Sequence, residues 1–136
     1  MKLSFVTVLF CVCCLGSFCL SAQAAYFDGM EAYRKDDYQT ALREFKSVED
    51  DAKALYMIGV IYEKGQGVSI DNAEAAQWYR KAADKGNPSA QYRLGRLYER
   101  GLGVEPSRDE AVKLYKKSAK QGNVDARQAL KRMDAK

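Results

Sequence analysis

The chain has 136 residues, with 22 Lys and Arg, 18 Asp and Glu, no histidine, and a formal net charge of +4. All four cysteines lie within the first 19 residues. The rest of the chain therefore offers no thiol–imidazole pair for nucleophilic catalysis and no His/Cys set for zinc. We expect no catalytic residue, no metal and no cofactor, and we expect a binding function in place of an enzymatic one.

The first 24 residues have the features of a cleavable signal peptide. Lys2 supplies a positive charge, residues 3–15 are almost all apolar, and Ala22-Gln23-Ala24 places small residues where a signal peptidase requires them. We expect cleavage after Ala24, a periplasmic or secreted protein, and a mature chain of residues 25–136 without a membrane span. An uncleaved anchor remains the alternative, because residues 3–20 approach the length that spans a bilayer.

Residues 25–53 predict two helices, 25–35 and 37–49. Gly29 takes the place that Gly59 occupies in the next segment, and Ala41 and Phe45 follow it at the corresponding positions. The spacing from Gly29 to Gly59 is 30 residues, which is shorter than the repeat described next. We therefore expect a degenerate N-terminal repeat here, since the end units of a repeat stack are atypical.

Residues 54–89 repeat as residues 90–125, with 15 of 36 positions identical and no gap. Apolar residues at helical spacing predict helices at 52–64 and 71–84, and again at 88–100 and 107–121. A fixed period of this size indicates stacked supersecondary units, each of which buries the apolar face of its neighbour.

Glycines mark two kinds of position in each repeat. Gly59 and Gly95 lie within a helix, where glycine costs about 1 kcal/mol relative to alanine. We expect this cost to be offset by a neighbouring helix that approaches too closely for a side chain. Gly65 and Gly101 follow the first helix, and we expect them to end it in the left-handed conformation.

Short polar residues are expected to begin the other helices. Asp71–Glu74 and Ser107–Glu110 have the spacing of a capping box, in which the first side chain and the glutamate each bond to the backbone of the other. Asn87 and Asn123 are predicted N-caps of the helices that follow them. A last helix, 123–134, is expected to close the stack, so the fold class is all-α, an α/α solenoid of about seven helices in antiparallel pairs.

The repeat resembles the Sel-one-like repeat (SLR) family, which is related to the tetratricopeptide repeats. In the first copy the matching residues are Ala54, Ile58, Gly59, Tyr62, Gly65, Gly67, Val68, Ala75, Trp78, Tyr79, Lys81, Ala82, Ala83, Gly86 and Asn87. In the second copy they are Ala90, Leu94, Gly95, Tyr98, Gly101, Gly103, Val104, Ala111, Leu114, Tyr115, Lys117, Ser118, Ala119, Gly122 and Asn123. Leu114 in place of tryptophan and Ser118 in place of alanine are mild departures.

The resemblance implies a solenoid whose first helices line a concave groove, and an adaptor or regulator that binds a partner protein or peptide in the bacterial cell envelope. By tetratricopeptide analogy the groove residues are Tyr26, Met30, Tyr33, Arg34, Tyr56, Val60, Glu63, Lys64, Tyr92, Arg96, Glu99, Arg100, Gln128 and Arg132. Such a groove is rich in tyrosine and becomes basic toward its C-terminal end. We therefore expect an acidic peptide segment as its partner.

Charge is unevenly distributed along the expected mature chain. Residues 25–84 hold 12 acidic and 8 basic residues, whereas residues 85–136 hold 6 acidic and 13 basic residues. This polarity indicates either an electrostatically biased partner or head-to-tail association. It also leaves open a peripheral binder of anionic surfaces, whereas export disfavours nucleic acid.

An envelope hydrolase or a β-lactam-binding protein is the alternative from another functional class. The repeat-equivalent Glu63 and Glu99 could form a carboxylate pair of the kind that glycosidases use. The simpler interpretation is that they are solvated helix ends paired with Lys64 and Arg100. Some secreted members of the family carry a disulfide in each repeat and have been linked to β-lactam binding, and the absence of cysteine after residue 19 separates this chain from that branch.

Overall fold

The computed structural model describes residues 5–135, with side chains from residue 20 onward, and the regular elements in this range are all helices. Their bounds are α1 Phe5–Arg34, α2 Tyr38–Lys46, α3 Ala52–Lys64, α4 Asn72–Asp84, α5 Pro88–Arg100, α6 Arg108–Lys120 and α7 Val124–Asp134. Lys2 and the cysteine side chains of the predicted leader lie outside this description. Within the described range, no helix has both the length and the apolar character needed to cross a membrane.

The predicted all-α fold with seven helices is confirmed for this range, and α2 to α7 begin and end within a few residues of their predicted bounds. Helix α1 differs, because it begins at Phe5 and continues without a break past Ala24, whereas the prediction began at residue 25. Cleavage after Ala24 stays a prediction.

The chain divides into two compact units, residues 1–48 and residues 49–136, which we call the N-terminal unit and the repeat unit. In the N-terminal unit, α1 packs against α2. The Phe45 side chain is fully buried, and its ring lies over Gly29, where an added Cβ would come within 2.7 Å of it. Gly29 and Phe45 thus hold the two helices of this unit together.

In the repeat unit each helix packs against the next one along the chain, from α3 through α7. This order of contacts is that of the predicted α/α solenoid, in which a repeat touches only its neighbours. Alanines lie where these helices meet, and the fully buried large side chains are Tyr79, Tyr115, Leu55, Ile58, Ile61 and Leu97.

The predicted close approach at the mid-helix glycines is confirmed. A Cβ built on Gly59 would lie 2.5 Å from the Tyr79 ring, and one built on Gly95 would lie 2.7 Å from the Tyr115 ring. The tyrosine ring of each second helix therefore lies directly against the backbone of the first helix. Only glycine leaves this space, which explains why both first helices accept its cost in propensity.

The helix ends follow the predicted capping residues, with one correction. Gly65 and Gly101 end α3 and α5 with φ of 66°, and Ser107 accepts a bond from the backbone of Glu110. Both predicted capping boxes are only half formed, because the backbone N–H groups of Asp71 and Ser107 donate to the carbonyls of Tyr62 and Tyr98 and not to a glutamate. In the first copy the Glu74 carboxylate instead accepts a 3.0 Å bond from the Trp78 indole.

Candidate functional site

Glu63, near the end of α3, joins three helices of the repeat unit. The Tyr79 hydroxyl of α4 donates a 2.5 Å bond to Glu63 Oε2, and the Arg93 guanidinium of α5 lies 3.3 Å from the same oxygen. The Glu63 side chain is only 18% exposed, so these donors replace much of its hydration. Burial, followed by the bond to Glu63, raises the pKa of Tyr79 well above its usual value and keeps the hydroxyl protonated as a donor.

Glu99 has the same role one repeat later. The Tyr115 hydroxyl of α6 donates a 2.7 Å bond to it, and Arg132 of α7 lies 2.9 Å from both carboxylate oxygens. Burial acts to raise the pKa of Glu99, but the bonds from Tyr115 and Arg132 outweigh it and lower that pKa. The two arrangements are here called the Tyr–Glu–Arg nodes: Tyr79, Glu63 and Arg93, and Tyr115, Glu99 and Arg132.

The partners predicted from the sequence for these glutamates were wrong. Glu63 and Glu99 are not solvated helix ends paired with Lys64 and Arg100, because tyrosine and arginine from two other helices hold each carboxylate. Arg93 was missed altogether. The available signal was that glutamate and tyrosine recur together at a spacing of 16 residues in both copies.

Each node connects a first helix to the second helix of its repeat and to the next first helix. The carboxylates are thus occupied as structural acceptors, which does not favour a role for them in acid–base chemistry. Among the described residues, no group of three or more His, Cys, Asp or Glu side chains is placed to hold a metal ion.

The predicted groove tyrosines of the repeat unit stack on the buried tyrosines of the second helices. The Tyr56 ring centroid lies 5.8 Å from that of Tyr79, and the Tyr92 centroid lies 5.7 Å from that of Tyr115. Both outer tyrosines remain partly exposed. Val60, also predicted to line the groove, is only 5% exposed and presents little surface to a partner.

The predicted groove cations have different surroundings. Arg132 belongs to the second node and pairs with Glu99, although its side chain is 56% exposed. The Arg96 guanidinium lies 5.9 Å from the centroid of the Tyr92 ring on its own helix. Lys64 and Arg100 are the exposed last residues of α3 and α5. The structure thus brings Arg96 and Tyr92 together and leaves Lys64 and Arg100 facing solvent.

The remaining predicted groove residues belong to α1 of the N-terminal unit. The Tyr26 ring lies 5.9 Å from that of Phe45, so it contacts the buried ring of its unit as Tyr56 and Tyr92 do in theirs. Met30 and Tyr33 are partly buried, and Arg34 is exposed at the end of the helix. Their membership of one continuous groove stays a prediction.

Known proteins share both the repeat and the fold. The family model of the Sel1 repeat matches residues 52–87 and 88–123, which keeps the predicted period and moves its frame by two residues. Among curated proteins, the ERAD-associated E3 ubiquitin-protein ligase component HRD3A of Arabidopsis thaliana is 35% identical over 55 residues, or 40% of this chain. The chain spans only 8% of the length of that relative.

Solved structures cover more of the chain. A Sel1 repeat protein from Oxalobacter formigenes is 36% identical with a TM-score of 0.75, over 77% of this chain and 44% of that one. A protective antigen with an SLR fold from uropathogenic Escherichia coli strains is 30% identical with a TM-score of 0.76, over 80% of this chain and 25% of the antigen.

Helicobacter pylori cysteine rich protein B is 23% identical with a TM-score of 0.69, and the match covers 85% of this chain and 92% of that one. At that identity the likeness shows the fold alone. The two matched repeats span more than half of the chain. The chain therefore belongs to the Sel1 repeat family.

Proposed function

We propose that the protein is a non-enzymatic binding scaffold of the bacterial cell envelope, and that the first-helix face of its repeats holds an acidic segment of a partner protein. Sel1-like repeat proteins generally mediate protein–protein interaction, and the family is typically a non-enzymatic scaffold. The step from the family to this partner and this face is our inference from the charges of the repeat unit.

The balance of charge on the first helices is the observation that carries the proposal. Both half-buried glutamates of this face, Glu63 and Glu99, are neutralised within the Tyr–Glu–Arg nodes. Lys64, Arg96 and Arg100 have no carboxylate within ion-pair distance in the part of the chain described. The nodes therefore leave an uncompensated positive surface, which favours an acidic partner through electrostatic complementarity.

The aromatic side chains supply the second part of a binding surface. Tyr92 is partly exposed, its ring packs against the buried Tyr115 ring, and the Arg96 guanidinium lies over the Tyr92 ring. Tyrosine and arginine are the residue types that most often dominate the binding energy of protein interfaces, since they bury large areas with little loss of conformational freedom. Tyr92 and Arg96 are the residues on which we expect binding to depend most.

Site-specific photo-crosslinking in the producing cell tests the proposal. A benzoylphenylalanine residue in place of Tyr92 should capture a partner, and the same residue in place of the exposed Gln77 of α4 should not. Charge reversal by Arg96→Glu with Arg100→Glu should lower the yield of the Tyr92 adduct severalfold. An adduct of equal yield in the reversed variant, or one formed equally from Gln77, would contradict the proposal.

The envelope location rests on the leader. The small residues at Ala22 and Ala24 after an apolar run support export of this chain. Separation of periplasm from cytoplasm, with detection of the chain in each, measures the location directly.

A further inference from the structure

The start of α6 carries an open cavity that the proposed groove does not include. Its volume is about 390 Å³, and its lining residues are Arg108, Asp109, Val112, Lys113 and Lys116. The lining holds three cations and one carboxylate, and one of these cations, Lys113, also lies 3.7 Å from Glu110 on the same helix. The side chains of Lys113 and Lys116 are exposed. We call this surface the basic cavity.

The preceding repeat shows what packs against the corresponding surface of α4. In α4 the corresponding first turn is covered by the loop after α5, whose backbone approaches so closely that a Cβ on Gly103 would lie 2.2 Å from the Asn72 carbonyl carbon. Arg80, the equivalent of Lys116, donates to the Tyr98 hydroxyl. The start of α4 thus packs against the end of the next first helix, α5, and against the turn that follows it.

The following first helix covers α6 less completely. Helix α7 has 11 residues where α5 has 13, and Asp134 stands at the position equivalent to Tyr98. Val112 remains partly exposed, whereas its equivalent in α4, Ala76, is 2% exposed. The end of α7 does reach the start of α6, where Arg108 donates to the carbonyl of Met133, but a cavity remains beside Val112 among the described residues.

The N-terminal unit carries a surface of opposite charge at the end of its own first helix. A cavity of about 280 Å³ is lined by Asp28, Glu31, Ala32, Lys35, Asp37 and Thr40. With Gly29 set on Gly95, Asp28 and Glu31 take the positions of Leu94 and Leu97, which are 2% and 1% exposed in α5. Positions that are buried and apolar in the repeat unit are thus exposed and acidic here. We call this surface the acidic cavity.

We propose that two copies of this chain associate head to tail, with the acidic cavity of one molecule against the basic cavity of another. The acidic cavity is lined by three carboxylates and one ammonium, Lys35, which pairs with Glu31 at 2.6 Å, whereas the basic cavity is lined by three cations and one carboxylate. The same polarity runs through the sequence, from 12 acids against 8 bases in residues 25–84 to 13 bases against 6 acids in residues 85–136. Because the two surfaces differ, the contact is heterologous. The association is independent of the partner proposed for the groove.

Sedimentation velocity of the full chain tests this association by charge exchange. Wild type should form dimers and short oligomers at low salt and dissociate as the ionic strength rises from about 0.05 M to 0.5 M, because exposed charges are screened over that range. Lys113→Glu with Lys116→Glu should weaken association about tenfold or more, and so should Asp28→Lys with Glu31→Lys. An equimolar mixture of these two variants should recover association.

Lys117→Glu with Lys120→Glu is the matched control, since it makes the same change of charge on exposed residues of α6 outside the cavity. It should associate nearly as wild type does. Circular dichroism of each variant checks that helix content is retained. A wild type that is monomeric at low salt, an association that survives both reversals, or a mixture that fails to recover association would each overturn the proposal.

Discussion

At the residue scale, the most telling group is the Glu99 carboxylate with its two donors. It accepts from a tyrosine that is held by burial against Gly95 and from an arginine on the next first helix. The N-terminal unit lacks the tyrosine hydroxyl and the glutamate of this arrangement, because Phe45 and Tyr33 stand where the repeats have tyrosine and glutamate. The donor and the acceptor are thus lost together, as expected when an unpaired buried polar group would be costly.

Glu99→Gln should make the stability of the repeat unit less dependent on acid pH. The folded-state pKa of Glu99 lies below its ordinary value of 4.5. The carboxylate therefore stabilises the fold above about pH 4.5, and this contribution is lost as the pH falls through the folded-state pKa. Urea unfolding at several pH values should show the variant weaker by about 1 kcal/mol at neutral pH and nearly equal to wild type near pH 3.

Glu105→Gln is the control for this measurement, because it removes a carboxylate from the exposed loop before α6. A difference between Glu99→Gln and wild type that stays constant from neutral pH to pH 3 would show that the Glu99 charge is not what stabilises the node.

At the element scale, the first and second helices are held together by a tyrosine ring lying on glycine. Gly95→Ala should destabilise the repeat unit by about 1–3 kcal/mol, because the new methyl group would meet the Tyr115 ring at 2.7 Å and the ring is fully buried. Alanine also stabilises a helix by about 1 kcal/mol relative to glycine. The measured loss of stability is therefore the cost of the packing clash minus this gain.

Chemical denaturation of Gly95→Ala beside Lys131→Ala provides the comparison. Lys131 is the repeat equivalent of Gly95 in α7 and is exposed, so its replacement should change the free energy of unfolding by less than about 0.5 kcal/mol. If Gly95→Ala were as stable as wild type, the close approach at that glycine would not be what fixes the helix pair.

Elements were largely predictable from the sequence because their signals are local. Helical periodicity, Gly65 and Gly101 as helix ends, and Asn87 and Asn123 as N-caps each depend on residues a few positions apart. The repeat also predicted the register of the helices, since the same pattern of residues occurs in both copies. The capping boxes at Asp71 and Ser107 were wrongly predicted as complete, because the backbone N–H of each of these residues donates to a carbonyl of the preceding helix, Tyr62 or Tyr98, across the glycine loop.

The candidate site was less predictable because its partners are about 30 residues apart. The Arg93 side chain reaches Glu63 across two helices, and no local pattern marks it, since the equivalent position in α7 is Ala129. Arg132 serves the second node from a different register, 33 residues after Glu99 instead of 30. Both glutamates thus have an arginine partner, but the two arginines lie at different positions of the repeat.

At the scale of the whole molecule, the location of the protein decides which partners it can meet. Ala24→Phe should stop processing of the leader, because a bulky side chain next to the cut does not fit the small-residue position that signal peptidase requires. Gln23→Phe makes the same substitution at the neighbouring position, which does not need a small residue, and should be processed as wild type is. The mature protein should begin at Ala25.

N-terminal sequencing and gel mobility of the chain recovered from cells distinguish the outcomes. Processing of wild type and Gln23→Phe, with an unprocessed Ala24→Phe, is the expected result. If all three proteins were recovered with Lys2 near their start, the apolar segment would be retained. The groove and the two cavities would then belong to a membrane-anchored protein and not to one that is free in the envelope. In that case anionic headgroups would compete for the basic half of the chain, since each Lys or Arg near such a surface contributes about 1 kcal/mol to binding. Processing therefore determines whether those cations are available to an acidic protein partner.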